Sequence, residues 1–398
     1  MYKSMIFFYI LFALILIEIF LYNIVNYLKK DFNWIITSDD EKPKFNNNKL
    51  NNFYKNTYNK LLGWDRKKNS KGVEKSDKIS YYSINKLGFR GKKKYNKTNI
   101  SVFGDSFAFC RYVNDEQTWE YHLSKKLKKN VLNYGVGNYG IDQSFLKYKL
   151  YKKKLDHNIV IFNVVPETIA RINSYWKHYR EFGNILGFKP FFDLTNNKLK
   201  LRKNLLKKNQ SKNQIYKIIP KIKKHDIFYK KKFIKNKFNF PYLLVYFCNI
   251  KFFSKIFYNL FLYKLSKNEM FYNNAFGEVL KKNIKESHLM YKNHDFAVKL
   301  RRIISLIKNQ ILKDKKRMIL IITPQLCDLK FKSSKIYSNF YKNISEEFTC
   351  FDLTNNFKEK KNYELFFFRD KYGGHLNERG NKFIAEIIHK KLKKNKII

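Results

Sequence analysis

From Met5 to Val25 the chain reads MIFFYILFALILIEIFLYNIV, apolar throughout except for Glu18 and Asn23. About 20 helical residues rising roughly 1.5 Å each cross a hydrocarbon core, so this stretch is read as a membrane-spanning helix. A cleaved signal peptide has a shorter apolar core ending in small residues. Tyr22-Asn23-Ile24-Val25-Asn26-Tyr27 has no A-x-A pattern, so an uncleaved signal-anchor over residues 1–30, in the membrane by residues 5–25, is expected. Lys3 on one side competes with Lys29 and Lys30 on the other for the cytoplasmic face; the expectation is a single-pass protein with its bulk on the extracytoplasmic side. Glu18 stands near the end of the apolar run, within reach of the headgroups.

Residues 31–80 are rich in Lys, Asn, Asp and Ser and read as a tether. From Asn99 the pattern becomes strand, turn, helix. Ile100–Phe103 reads as a buried strand, Gly104-Asp105-Ser106 as a turn, Trp119–Leu127 as a helix and Val131–Asn133 as a second strand. A helix over Gln143–Lys153 and strands over Asn158–Val165 and Arg317–Thr323 continue the alternation. Strands separated by helices predict an α/β domain over residues 81–398, a three-layer sandwich with a central parallel sheet. Residues 200–290 are rich in Lys and aromatics and form a helical insertion; Phe240–Leu265 is apolar enough for packing on the core or a further membrane contact, but Lys251 and Lys255 interrupt it.

The net charge of +50 would attract nucleic acid, anionic lipid or an acidic polysaccharide. No zinc-finger spacing, heptad repeat, RNA-binding aromatic motif or phosphate loop accompanies it, so no nucleic-acid partner is expected; scattered Lys in an Asn-, Ile- and Phe-rich chain reads as compositional drift. Cys110, Cys248, Cys327 and Cys350 form no CxxC pair and suggest no zinc site.

The chemistry is carried by a serine and a histidine. Ser106 follows a buried strand at its carboxyl end, where α/β sheets place their sites, and precedes a helix. His375, in Asp370-Lys371-Tyr372-Gly373-Gly374-His375-Leu376-Asn377, stands before a carboxyl-terminal helix over Lys382–Lys393. An imidazole can take a hydroxyl proton, and a carboxylate beside it can hold its tautomer; Asp370 is the local candidate. Gly135, Gly137 and Gly140 match GxGxxG, but no acidic residue ends a following strand, so no dinucleotide cofactor is expected, and neither HExxH nor DxD suggests a metal.

These blocks resemble the SGNH/GDSL hydrolases, in particular membrane-anchored bacterial members, over roughly residues 60–395. The resemblance implies a flavodoxin-like sandwich, with Ser106 as nucleophile and His375 as base, and Ser106 N–H in the oxyanion hole. Asn133-Tyr134-Gly135-Val136-Gly137-Asn138-Tyr139-Gly140 is similar to the family's glycine block; Asn138 aligns with the donor glycine, flanked by Gly137 and Gly140, and the resemblance implies Gly135, Asn138 and Gly140 as oxyanion or substrate-binding residues. Glu167 falls where the family has a donating asparagine, and Thr168 or Asn163 could replace it. Arg171 is expected either to pair with Glu167 or to bind an anionic substrate group. The family's acid stands three positions before the histidine, at Tyr372 here, with Asp370 two further back. The implied activity is cofactor-independent hydrolysis of acyl esters, with cell-surface polysaccharide as a partner. O-acyl transfer to such a polysaccharide, or glycan or membrane binding without catalysis, stay open as alternatives.

Overall fold

The computed structural model describes residues 2–32, 42–76, 78–155, 157–370 and 372–398. Along the chain run helix α1 (Tyr2–Phe32), strands β1 (Ser70–Lys75), β2 (Ile79–Ile84) and β3 (Thr98–Gly104), helices α2 (Ser106–Phe109) and α3 (Trp119–Leu127), strand β4 (Asn130–Asn133), helix α4 (Ile141–Tyr151) and strand β5 (Ile159–Val164). Helices α5 (Tyr242–Cys248), α6 (Ile250–Ser266) and α7 (His294–Lys313), strands β6 (Arg317–Ile322) and β7 (Cys350–Asp352), and helix α8 (Glu378–Lys394) follow, with further helices and hairpins between them. The chain divides into two units: Asn52–Asn173, Lys189–Lys208 and Lys281–Ile398 form one, and Met1–Asn51, Ser174–Phe188 and Asn209–Leu280 the other.

The first unit is the expected α/β sandwich. Its central sheet has five parallel strands in the order β7-β6-β5-β3-β4. Strand β5, Ile-Val-Ile-Phe-Asn-Val, is buried at every position, as a strand covered on both faces must be. Alternate side chains serve opposite layers. Val160, Phe162, Leu320 and Ile322 pack with α4 and with the α7 stripe Leu300, Ile303, Ile304, Ile307 and Ile311. Ile159, Ile161, Ile319 and Ile321 pack with Trp119 and Leu123 of α3 and Ile384, Ile388 and Leu392 of α8. Each fully buried aliphatic side chain contributes about 1.5–3 kcal/mol, so Ile304→Asp in the α7 stripe would both forfeit that and strand a carboxylate.

Strand β3 is flanked by β4 on one side and β5 on the other. The chain leaves β3 in one direction for β4 and returns past it to β5. Such a switch point opens a crevice at the carboxyl end of the strand, and Ser106 sits there.

Two expectations change. The tether over 31–80 lies partly outside the described residues, at 33–41 and 77, but the described residues of 58–84 are not a tether. Tyr58–Asn59 pairs with Gly63–Trp64, β1 pairs antiparallel with β2, and Leu62 is fully buried. Ion pairs explain why so polar a stretch folds: Asp65 meets the buried Lys147 at 2.7 Å, and Glu74 meets Arg66 at 2.9 Å and Arg111 at 2.7 Å. The 200–290 insertion also divides, with 209–280 belonging to the second unit. There Phe238, Phe253, Ile256 and Leu260 cluster with Val25 and Leu28 of α1. Helix α1 itself is long and apolar enough to cross a membrane over Tyr2–Leu28, and 6% of its most apolar window is buried.

Candidate active site

Strand β3 ends at Gly104 because the turn into α2 lies flat against β5: a Cβ there would stand 1.9 Å from the Asn163 carbonyl oxygen and 2.6 Å from Ala108 Cβ. Asp105 caps α2, one carboxylate oxygen accepting the Phe107 N–H at 2.9 Å. The other accepts the Val165 N–H at 2.9 Å and Arg171 Nη1 at 3.1 Å. Burial pushes the Asp105 carboxyl up, against the downward pull of Arg171 and of these N–H groups. The carboxylate thus ties the turn after β3 to the end of β5 and fixes where Ser106 points.

His375 Nε2 lies 2.9 Å from Ser106 Oγ, and His375 Nδ1 lies 3.0 Å from Asp370 Oδ2. A carboxylate at Nδ1 keeps the proton there, so the Nε2 lone pair faces the serine hydroxyl. Asp370 Oδ2 also accepts the backbone N–H of His375 at 2.7 Å, and Oδ1 accepts that of Tyr372 at 2.6 Å. Burial opposes the Asp370 charge, but His375 and these N–H bonds outweigh it and hold the carboxyl below its ordinary value. Asp370 stands five residues before the histidine rather than three. The extra length is taken up by Gly373 (φ 99) and Gly374 (φ 85), whose left-handed conformations fold the chain back so that the carboxylate faces the ring. Ser106 is 8% exposed and His375 4%, so the pair is nearly shielded from water.

Two rings hold the imidazole. Phe107 stacks on His375 with centroids 5.1 Å apart, and Tyr112 meets it edge-on at 5.4 Å. Tyr112 adopts φ 70, and buried Arg90 explains how its loop is held: its guanidinium donates to the carbonyls of Phe109, Cys110 and Val113 and pairs with Asp115 at 2.8 Å. Sequence reasoning missed Asp105, Phe107, Tyr112 and Arg90 as parts of the site. Arg90 lay in the Asn85–Arg90 stretch, and a lone arginine after an apolar run was its available signal.

The glycine block lies beside this centre with unequal parts. Asn138 is exposed in the left-handed region (φ 66), which Gly and Asn tolerate better than other residues, so Asn can stand at a glycine position. Gly135 is not a free donor as expected: its N–H goes to Asn133 Oδ1 at 2.9 Å, and its α-carbon abuts the Ala108–Phe109 backbone. Gly140 opens α4, its carbonyl accepting from the Ser144 hydroxyl at 3.0 Å, and is structural.

The two expected substitutes for the missing asparagine donor differ. Thr168 is fully buried, and its hydroxyl accepts the Ile141 N–H at 2.9 Å. Asn163 is also fully buried; its Oδ1 accepts from Thr323 at 2.8 Å, which leaves its Nδ2 donor without a hydrogen-bond partner among the described residues. Glu167 and Arg171 form a buried i,i+4 ion pair at 2.8 Å, and Arg171 also reaches Asp105 and the Tyr139 carbonyl, at 3.0 Å. Of the two roles expected for Arg171, the structure has the internal pair, because one guanidinium neutralises two buried carboxylates.

No protein-family model matches the chain, and no curated protein matches it. Among solved structures it is similar to a G-D-S-L family protein, described as lipolytic, from Desulfitobacterium hafniense DCB-2, at 10% identity. The match covers 74% of this chain and 100% of that one, with a TM-score of 0.35. A likeness that loose carries no argument, and the functional reading rests on the side chains described above.

Proposed function

We propose that the protein is a serine-dependent hydrolase of ester bonds. One observation carries the reading: the unbroken chain from Ser106 Oγ through both ring nitrogens of His375 to Asp370, at 2.9 and 3.0 Å. Ser106 attacks the acyl carbonyl while His375 Nε2 takes its proton. The imidazolium is stabilised by Asp370 and returns the proton to the departing alcohol, leaving an acyl-serine that water then releases by the reverse sequence. The developing oxyanion is met by the backbone N–H groups of Ser106 and Asn138. Glu167 does not oppose it as a bare charge, since Arg171 neutralises that carboxylate.

Helix α1 anchors the chain in the membrane with Ser106 and His375 on the extracytoplasmic side, and the net charge of +50 favours an acidic cell-surface polysaccharide as the acylated alcohol. The test is burst-phase hydrolysis of p-nitrophenyl acetate by the full chain in detergent, beside Ser106→Ala and His375→Ala. Each substitution is expected to lower kcat by about 10⁶-fold. Equal rates in all three proteins would reject the reading, and an acetylated oligosaccharide formed when an acceptor is supplied would make the same acyl-enzyme a transferase.

A further inference from the structure

Glu18 is the only acid between Tyr2 and Leu28. Its carboxylate accepts the backbone N–H of Tyr242 at 2.8 Å and of Leu243 at 3.2 Å, the first two residues of α5. The seven residues from Glu18 to Val25, where the apolar run ends, rise about 10 Å, a third of the thickness of a hydrocarbon core. If α1 spans a bilayer, the start of α5 is therefore held inside one leaflet, below the headgroups and short of the midplane. A helix start in hydrocarbon leaves its first N–H groups without water, and an acid there lacks water too; each satisfies the other.

The side chains around this contact point outward. No residue of α5 is buried, and Leu244 and Phe247 are 60% and 59% exposed. In α6, Phe253, Ile256 and Leu260 face inward to Val25 and Leu28, whereas Tyr258, Phe261 and Leu265, at i, i+3 and i+7, form a separate exposed apolar stripe. Lys251 and Lys255 are exposed on the same face as Tyr258 and Leu265, in the turns of α6 that precede them. An apolar cavity of about 790 Å³ between α1 and α5 is lined by Leu14, Ile15, Ile19, Leu244 and Phe247 among others. Among the described residues these side chains are as exposed as the apolar residues of α1, more apolar surface than an aqueous phase favours.

We propose that α5 and α6 form a second membrane-embedded element. It enters the leaflet flanking the C-terminal half of α1, is pinned at its deepest point by Glu18, and turns its apolar faces to phospholipid acyl chains. Lys251 and Lys255 sit at the headgroup level. The inference rests on α1 crossing a bilayer and is independent of the chemistry at Ser106.

The full chain, reconstituted in phosphatidylcholine and phosphatidylglycerol vesicles containing a phospholipid with a diazirine on its acyl chain, is irradiated, digested and mapped by mass spectrometry. Lipid adducts are expected on peptides from α1, from Tyr242–Cys248 and from the 258/261/265 face of α6. Adducts confined to α1 would overturn the proposal. So would cross-links between two protein chains through residues 242–265 without lipid adducts there. Glu18→Leu, which removes the acceptor, is expected to cut labelling of α5 relative to α1 by about tenfold, whereas Glu18→Gln, which keeps a carbonyl oxygen, labels as the parent does. Equal α5 labelling in the Leu variant would overturn the role given to Glu18.

Discussion

Replacing Asp370 by Asn tests the least regular part of the site. Asp370 accepts three hydrogen bonds: Oδ1 from the Tyr372 N–H, and Oδ2 from both the backbone N–H and Nδ1 of His375. An amide has one acceptor oxygen. If it takes the Oδ1 place, the NH₂ faces His375 and needs an unprotonated Nδ1, which moves the ring proton to Nε2 and leaves no base for Ser106. If it takes the Oδ2 place, the NH₂ meets the Tyr372 N–H and the loop loses a bond worth about 0.5–1.5 kcal/mol. The first arrangement costs catalysis about 10⁴-fold in kcat, or about 5.5 kcal/mol of transition-state stabilisation. The assay is p-nitrophenyl acetate turnover by the detergent-solubilised full chain, with circular dichroism to show that the variant is folded. A folded Asp370→Asn protein within tenfold of the parent in turnover and with an unchanged thermal midpoint fits neither arrangement, and would refute the reasoning and remove Asp370 from the proposed triad.

Arg171→Met should leave the Asp105 and Glu167 carboxylates buried without their shared guanidinium partner; a loss of about 3–5 kcal/mol is expected, read as a fall in the thermal midpoint. Glu120, whose carboxyl burial pushes up to about 8 despite the lowering contributions of Cys110, Arg90 and Asn133, holds a proton in the native state that the unfolded chain releases at 4.5. Stability from that site is therefore complete below the unfolded value and declines as pH rises toward the native one, by at most about 1.4 kcal/mol per pH unit. Glu120→Gln should flatten the midpoint between those limits, and an unchanged slope would count against it. Asn138→Gly keeps the backbone N–H and the left-handed conformation, so turnover should stay within about threefold of the parent; a much larger loss would assign the donor role to the side chain.

The sheet was legible because its strands are long apolar runs: β5 and β6 are buried nearly end to end and read as strands at sight. Ser106 was legible from its place between a strand and a helix. Asp370 was less so, because a spacing rule assumes one loop conformation, and Gly373 and Gly374 supply another. Asp105 and Arg90 were missed for a different reason: their partners are backbone groups distant in sequence, at Val165 and at Phe109–Val113, and no local pattern encodes them. The fold of residues 58–84 was hidden by composition, since it relies on ion pairs such as Lys147 with Asp65 rather than on apolar periodicity. Glu167 and Arg171 were the opposite case, an i,i+4 pair that spacing alone suggested.

The central claim is that Ser106 is a nucleophile activated by His375. It is tested most directly by treating the full chain with a fluorophosphonate and locating the adduct by peptide mass spectrometry. The account expects one stoichiometric phosphonate on Ser106, lost in Ser106→Ala and strongly slowed in His375→Ala. Esterase activity that survives in a protein carrying no adduct on Ser106, or labelling that persists elsewhere in Ser106→Ala with the same kinetics, would contradict it.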